Sequence, residues 1–200
     1  MNIFALDENP VQAAQYMCDK HIPKMVVETM QMLGSAVIRH GAEPHDMPLT
    51  SKGTPLKGGY HNHPCTKWAG DCRANYLWLV IHGLELLTQY IIRYDKTHAC
   101  KDAIVWLGDM SDYIPIEGKA EHTPFVQAMP EIYYKADSVA AYREYYCKEK
   151  GRFARWERGV PAPHWFPGNL CDSEAPEYNM YTQSLDEYED MLADVDATVE

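Results

Sequence analysis

The stretch "WAGDCRANYLWLVIHGLELLTQYIIRY", residues 68 to 94, constrains the fold more than any other part of the chain. Its apolar residues, among them Trp68, Tyr76, Leu79, Val80, Leu86 and Leu87, recur at steps of three and four, the stripe of a helix with one buried face. A helix this long must find other helices to cover that stripe. The nearest candidate is "HIPKMVVETMQMLGSAV", where Ile22, Met25, Val26, Thr29, Met32, Leu33, Ala36 and Val37 form a second stripe of about four turns. Asp19 is placed to cap this helix, Pro23 sits in its first turn, and Gly41 supplies the stop.

These two stripes predict a mainly α protein, one compact helical domain over residues 1–170 with long ordered loops. "NIFAL" reads as one short N-terminal strand or as an extended anchor. Residues 41–66, with four Pro and four Gly, read as an ordered loop that delivers polar groups. Thr123-Pro124 reads as the cap of a short helix over "PFVQAM", stopped by Pro130, and Ser138 to Lys150 as a further helix. Ser184 and Glu187 make a capping box for a short helix in an acidic segment, residues 171–200.

Charge is divided unevenly. The net charge is -11, but residues 171–200 hold ten of the acids and no Lys or Arg, which leaves residues 1–170 at about -1. Such a body lacks the overall basic surplus of a general DNA-coating protein, yet it can carry a local basic cleft. The acidic segment could dock a basic host protein partner, and its simplest reading is a solubilising helix. Six scattered Cys without a CxxC pair predict reduced thiols in a cytoplasm. The opening "MNIFALDENP" lacks the basic and apolar regions of a signal peptide, and no apolar run is long enough to span a bilayer. No phosphate-binding, dinucleotide or hydrolase-elbow motif occurs, so no cofactor is expected.

Three constellations carry chemistry. His21, Lys24, Glu28, Gln31 and Ser35 share the face of the second helix opposite its apolar stripe. If that face looks into a cleft, His21 and Glu28 are acid–base candidates, and Lys20 and Lys24 hold an anion such as phosphate. "HNHPC" offers Asn62 and His63 as groups that contact a target, because its spacing matches no common zinc site. "KGRFARWERG" with Arg143 is the one basic-aromatic patch. Arg143, Arg152 and Arg155 suit phosphate contacts, and Trp156 suits base stacking. Trp156 or Tyr146 could fill the gap left by a nucleotide flipped from the stack.

The segments "MNIFALDENPVQAAQYMCDKHIPKMVVETMQML", "HNHPCTKWAGDCRANYLWL" and "TPFVQAMPEIYYK" resemble a family of small, mostly uncharacterised bacteriophage proteins over about residues 1 to 166. A weaker resemblance links "DKHIPK" and "YREYYCKEKG" to phage pyrimidine-dimer DNA glycosylases. That resemblance implies a single helical domain, with Lys20 and Lys24 at phosphate-binding positions and His21 where the catalytic Glu stands. It also implies a nucleophile at the amine of an N-terminal Thr exposed by Met removal. Here the sequence reads Met1-Asn2-Ile3, so both catalytic positions differ from the family pattern. Related phage systems transfer groups to hydroxymethyl-uracil in DNA. The expected function is thus a phage enzyme acting on DNA bases or nucleotides, by excision or by base-modifying transfer. The alternative is a non-catalytic binding protein that sequesters a nucleotide or blocks a host defence factor.

Overall fold

A computed structural model describes residues 1–116 and 121–167. Six α-helices carry it: α1 (Pro10–Gln15), α2 (His21–Arg39), α3 (Pro64–Asp71), α4 (Arg73–Tyr94), α5 (Lys101–Asp109) and α6 (Ser138–Tyr145). A π-helical turn, Tyr146–Lys150, extends α6. The all-α expectation holds, with no strand among the described residues. Instead, "NIFAL" is a buried anchor that turns at Phe4 (φ +43°), with Ile3, Phe4, Ala5 and Leu6 buried. The capping box at Ser184 and Glu187 lies outside the described residues.

The core forms where α2 crosses α4. The crossing is close at Gly83, where an added Cβ would stand 2.8 Å from the Thr29 methyl. Around it pack Met25, Met32 and Leu33 of α2 with Tyr76, Leu79 and Leu86 of α4, all fully buried. The loop after α2 is fixed by a second close approach. Gly58 has φ +66° and would place a Cβ 2.7 Å from the Ser35 nitrogen, while Ser35 Oγ donates to the Gly59 carbonyl (2.9 Å) and accepts from its N–H (2.7 Å). Among the described residues no helix is long and apolar enough to cross a membrane.

Three local expectations are corrected. The segment from Trp68 to Tyr94 is two helices, broken at Cys72, whose backbone is extended (φ -154°, ψ 160°). The break is stable because the Asn75 side chain donates to the Trp68 carbonyl (2.7 Å) and the Arg73 N–H to the Pro115 carbonyl (3.0 Å). Asp19 does not cap α2. Its carboxylate binds Arg93 Nη1 (3.1 Å) and accepts from the Glu157 N–H (2.7 Å), so a buried ion pair takes the group that the cap needed. "PFVQAM" is extended, not helical. Side chains satisfy its backbone there: Asn2 Nδ2 donates to the Ala128 carbonyl (2.7 Å), and the Tyr142 hydroxyl donates to the Val126 carbonyl (2.7 Å).

The Asp19–Arg93 pair also anchors the C-terminal loop. Arg93 donates from Nη1 to the Met17 carbonyl (2.7 Å) and from Nη2 to the Gln15 carbonyl (2.9 Å), locking the α1–α2 turn to the end of α4. The Asp19 N–H donates to the Arg155 carbonyl (2.9 Å), which holds the 155–158 segment against that turn.

Candidate active site

The polar face of α2 looks inward. Helical periodicity puts His21 and Glu28 two turns apart on one side, and packing buries them at 4% and 8% exposure, whereas the Lys24 side chain between them is 62% exposed. What covers the two is the N-terminal segment, which runs along α2 with Asn2 at Glu28 and Phe4 at His21.

At the Glu28 end, the Asn2 backbone nitrogen donates to Glu28 Oε2 at 2.9 Å and the Met1 ammonium lies 3.8 Å from the same oxygen. Lys24 Nζ pairs with Oε1 at 3.2 Å. Asn2 is held on both sides of its amide: Nδ2 donates to Ala128, and Oδ1 accepts from the Phe4 N–H at 2.8 Å. Thr66 Oγ1 donates to Met1 Sδ at 3.5 Å, which sets the start of α3 beside the amine. His63 is the N-cap of α3, with Nδ1 accepting the Cys65 N–H at 3.2 Å, so its proton resides on Nε2. Burial, and after it the N-terminal ammonium, lower the basicity of His63, while Glu28 opposes them; both the amine and Glu28 thus act on this ring.

At the other end, Phe4 has φ +43°, a backbone conformation costly for a bulky residue. The strain lays its ring on His21 (centroids 4.9 Å apart, 19° between planes). His21 Nδ1 and the Tyr146 hydroxyl are 2.6 Å apart, and that hydroxyl accepts the Cys18 N–H at 3.0 Å. Burial first, then Lys24, Lys150 and Lys20, push the His21 pKa down to about 3. Lys20 lies over the Phe153 ring (4.9 Å) and Lys150 over Tyr145 (4.8 Å). Three ammonium groups thus act on a buried, neutral imidazole, Lys24 while paired with Glu28 and the other two while seated over rings, a setting suited to an anion.

The remaining sequence-derived candidates divide. Arg143 is occupied within the fold: it donates to the Leu6 carbonyl (2.8 Å) and Asp7 (2.9 Å), and stacks over Tyr16 and Trp165. Arg155 turns back onto the Ala154 carbonyl at 2.6 Å. Arg152 and Asn62 are exposed, and Trp156 is half-buried against Phe166, with centroids 4.7 Å apart. Tyr146 is fully buried and cannot enter a base stack. Sequence reasoning missed the chain's own amine as the neighbour of Glu28. It also missed Phe4, whose positive φ no motif announces.

The paired amine and carboxylate can exchange a proton and attack an electrophilic carbon. No curated protein and no solved structure matches the chain. A family model described as pyrimidine dimer DNA glycosylase matches residues 1–102, a segment that holds both Asn2 and Glu28. This supports a DNA glycosylase-like enzyme with DNA as its substrate class. The chain belongs to the pyrimidine dimer DNA glycosylase family.

Proposed function

We propose that the protein excises a damaged or modified pyrimidine from DNA, with the amine beside Glu28 as nucleophile and Glu28 as acid–base group. The observation that carries this reading is the 2.9 Å hydrogen bond from the Asn2 nitrogen to Glu28. With Met1 removed, that amide nitrogen would become a free amine already bonded to its base. The neutral amine attacks C1′ of the deoxyribose, the bond from C1′ to the base breaks, and the base leaves with the electron pair and takes up a proton. Glu28 takes a proton from the attached nitrogen, whose lone pair then opens the C1′–O4′ bond; the iminium so formed links the chain to the sugar. Glu28 passes that proton to the ring oxygen and can then remove a proton from C2′, and elimination of the 3′ phosphate opens the strand. Base chemistry in a duplex requires the nucleotide to leave the stack. Lys20, Lys24, Lys150 and Arg152 would hold the backbone phosphates meanwhile.

The test is borohydride trapping on duplex DNA carrying one cyclobutane pyrimidine dimer. The expected result is a covalent adduct that peptide mass analysis places on the N-terminal nitrogen, and that Glu28→Gln abolishes while still binding DNA. An adduct on a lysine side chain, or base release without any adduct, would refute the assignment of the nucleophile.

A further inference from the structure

We propose that Tyr146 is a positioning residue: its hydroxyl fixes His21 as a neutral Nε2–H donor for a phosphate oxygen of bound DNA. The inference rests on the reading that this face of α2 receives DNA.

The hydrogen-bond inventory assigns the tautomer. The Tyr146 oxygen already accepts the Cys18 N–H at 3.0 Å, and the phenol is fully buried. Its single proton needs an acceptor, and the imidazole Nδ1 at 2.6 Å is a far stronger one than the Cys18 thiol. With Nδ1 accepting, the ring's own proton stands on Nε2. Packing then removes the ring's freedom to turn. Phe4 covers one face at 4.9 Å, while Tyr146 and Phe153 approach edge-on at 5.2 and 5.5 Å. Phe4 reaches this place only through its strained backbone, and such strain persists where the surroundings demand it.

The surrounding charges name the ligand class. The charges that lower the basicity of this ring are ammonium groups, Lys24 (itself paired with Glu28), Lys150 and Lys20, and Lys20 sits over the Phe153 ring that packs edge-on against His21. Burial disfavours a cationic imidazole here, and the three cations disfavour it further. A neutral N–H donor is the form such a site tolerates before an anion arrives. The lysines supply attraction that does not depend on direction, and the imidazole adds a donor of fixed direction, which sets where the phosphate sits. Glu28 lies two turns along the same helix face, so a phosphate held at His21 would register the strand against the amine.

Two measurements on the full chain test this. Long-range proton–nitrogen correlation spectra of histidine-labelled protein should show His21 with an unprotonated Nδ1 and a protonated Nε2, unchanged from pH 7 to pH 5. An Nδ1–H tautomer, or an imidazolium at pH 5, overturns the proposal. Binding to a dimer-containing duplex is then followed over a salt series. His21→Ala should raise Kd about tenfold, the size of a lost hydrogen bond to a charged group, without changing the salt slope. Tyr146→Phe should raise Kd in the same direction, and His21→Gln, which keeps a neutral N–H donor, should recover part of the loss. Lys20→Ala, by contrast, should reduce the slope by about 0.9, the mark of a lost cation. A slope reduced in His21→Ala makes His21 a cation in the complex, and an unchanged Kd removes it from the interface; either result overturns the proposal. Failure of the borohydride adduct refutes the nucleophile while leaving these binding results standing.

Discussion

His82 makes the protein sensitive to mild acid. Its ring is fully buried on α4, stacked on Trp78 at 5.1 Å, and neither ring nitrogen has a hydrogen-bond partner. Burial alone drives its pKa from 6.5 down to about 3. The unfolded chain therefore binds a proton that the folded chain refuses, and stability must fall as pH drops below 6.5 toward 3. Between pH 7 and pH 5 one such group costs about 2 kcal/mol. His21, buried and held at about 3, adds a loss of similar size over the same range. A stability of roughly 5–15 kcal/mol is strongly eroded by the two together. The perturbation is His82→Leu, of similar volume and without polar atoms to orphan. Urea unfolding at pH 7 and pH 5 should show the variant losing about 2 kcal/mol less than the parent across that interval. At pH 7 the substitution should be near neutral, because it removes two unpaired buried atoms. An identical acid loss in parent and variant would refute the reasoning, since the proton would then be binding elsewhere.

Two further substitutions test the packing. Gly83→Ala forces its new methyl against Thr29 where α2 and α4 cross, and should lower stability by about 1–3 kcal/mol in thermal or urea unfolding. Arg93→Leu leaves Asp19 buried without its cation and should cost about 3–5 kcal/mol, whereas Asp19 and Arg93 replaced together by apolar residues should cost much less.

Much of this architecture is legible in the chain, and what is not follows a pattern. The α2 and α4 stripes are readable because each helix buries one face, and a single face repeats at the helical period. The break at Cys72 is not readable, because it is set by the Pro115 carbonyl, 42 positions from the Arg73 N–H it accepts. The extended course of residues 124–129 likewise depends on side chains of Asn2 and Tyr142. The same division holds at the site. His21 and Glu28 share a face by spacing alone. The amine beside Glu28, and the positive φ at which Phe4 packs edge-on against Tyr146, are set by contacts with residues far along the chain. The basic-aromatic patch forms one unit in sequence, yet Arg143 is consumed by Asp7 and Leu6 while Lys150 acts on His21.

The hydrogen bond between Asn2 and the Ala128 carbonyl joins residues 126 positions apart. During synthesis at about 5–20 residues per second, the first residues therefore wait roughly 6 to 25 seconds for the partner that seats them. Tyr146, which holds His21, leaves the ribosome later still. Glu28 and the chain's beginning are thus made early, but their alignment waits for sequence beyond the 1–102 segment that identifies the family. A nascent chain stalled before that point carries Glu28 and the N-terminal segment without the contacts to Ala128 and Tyr146 that hold them in the finished fold.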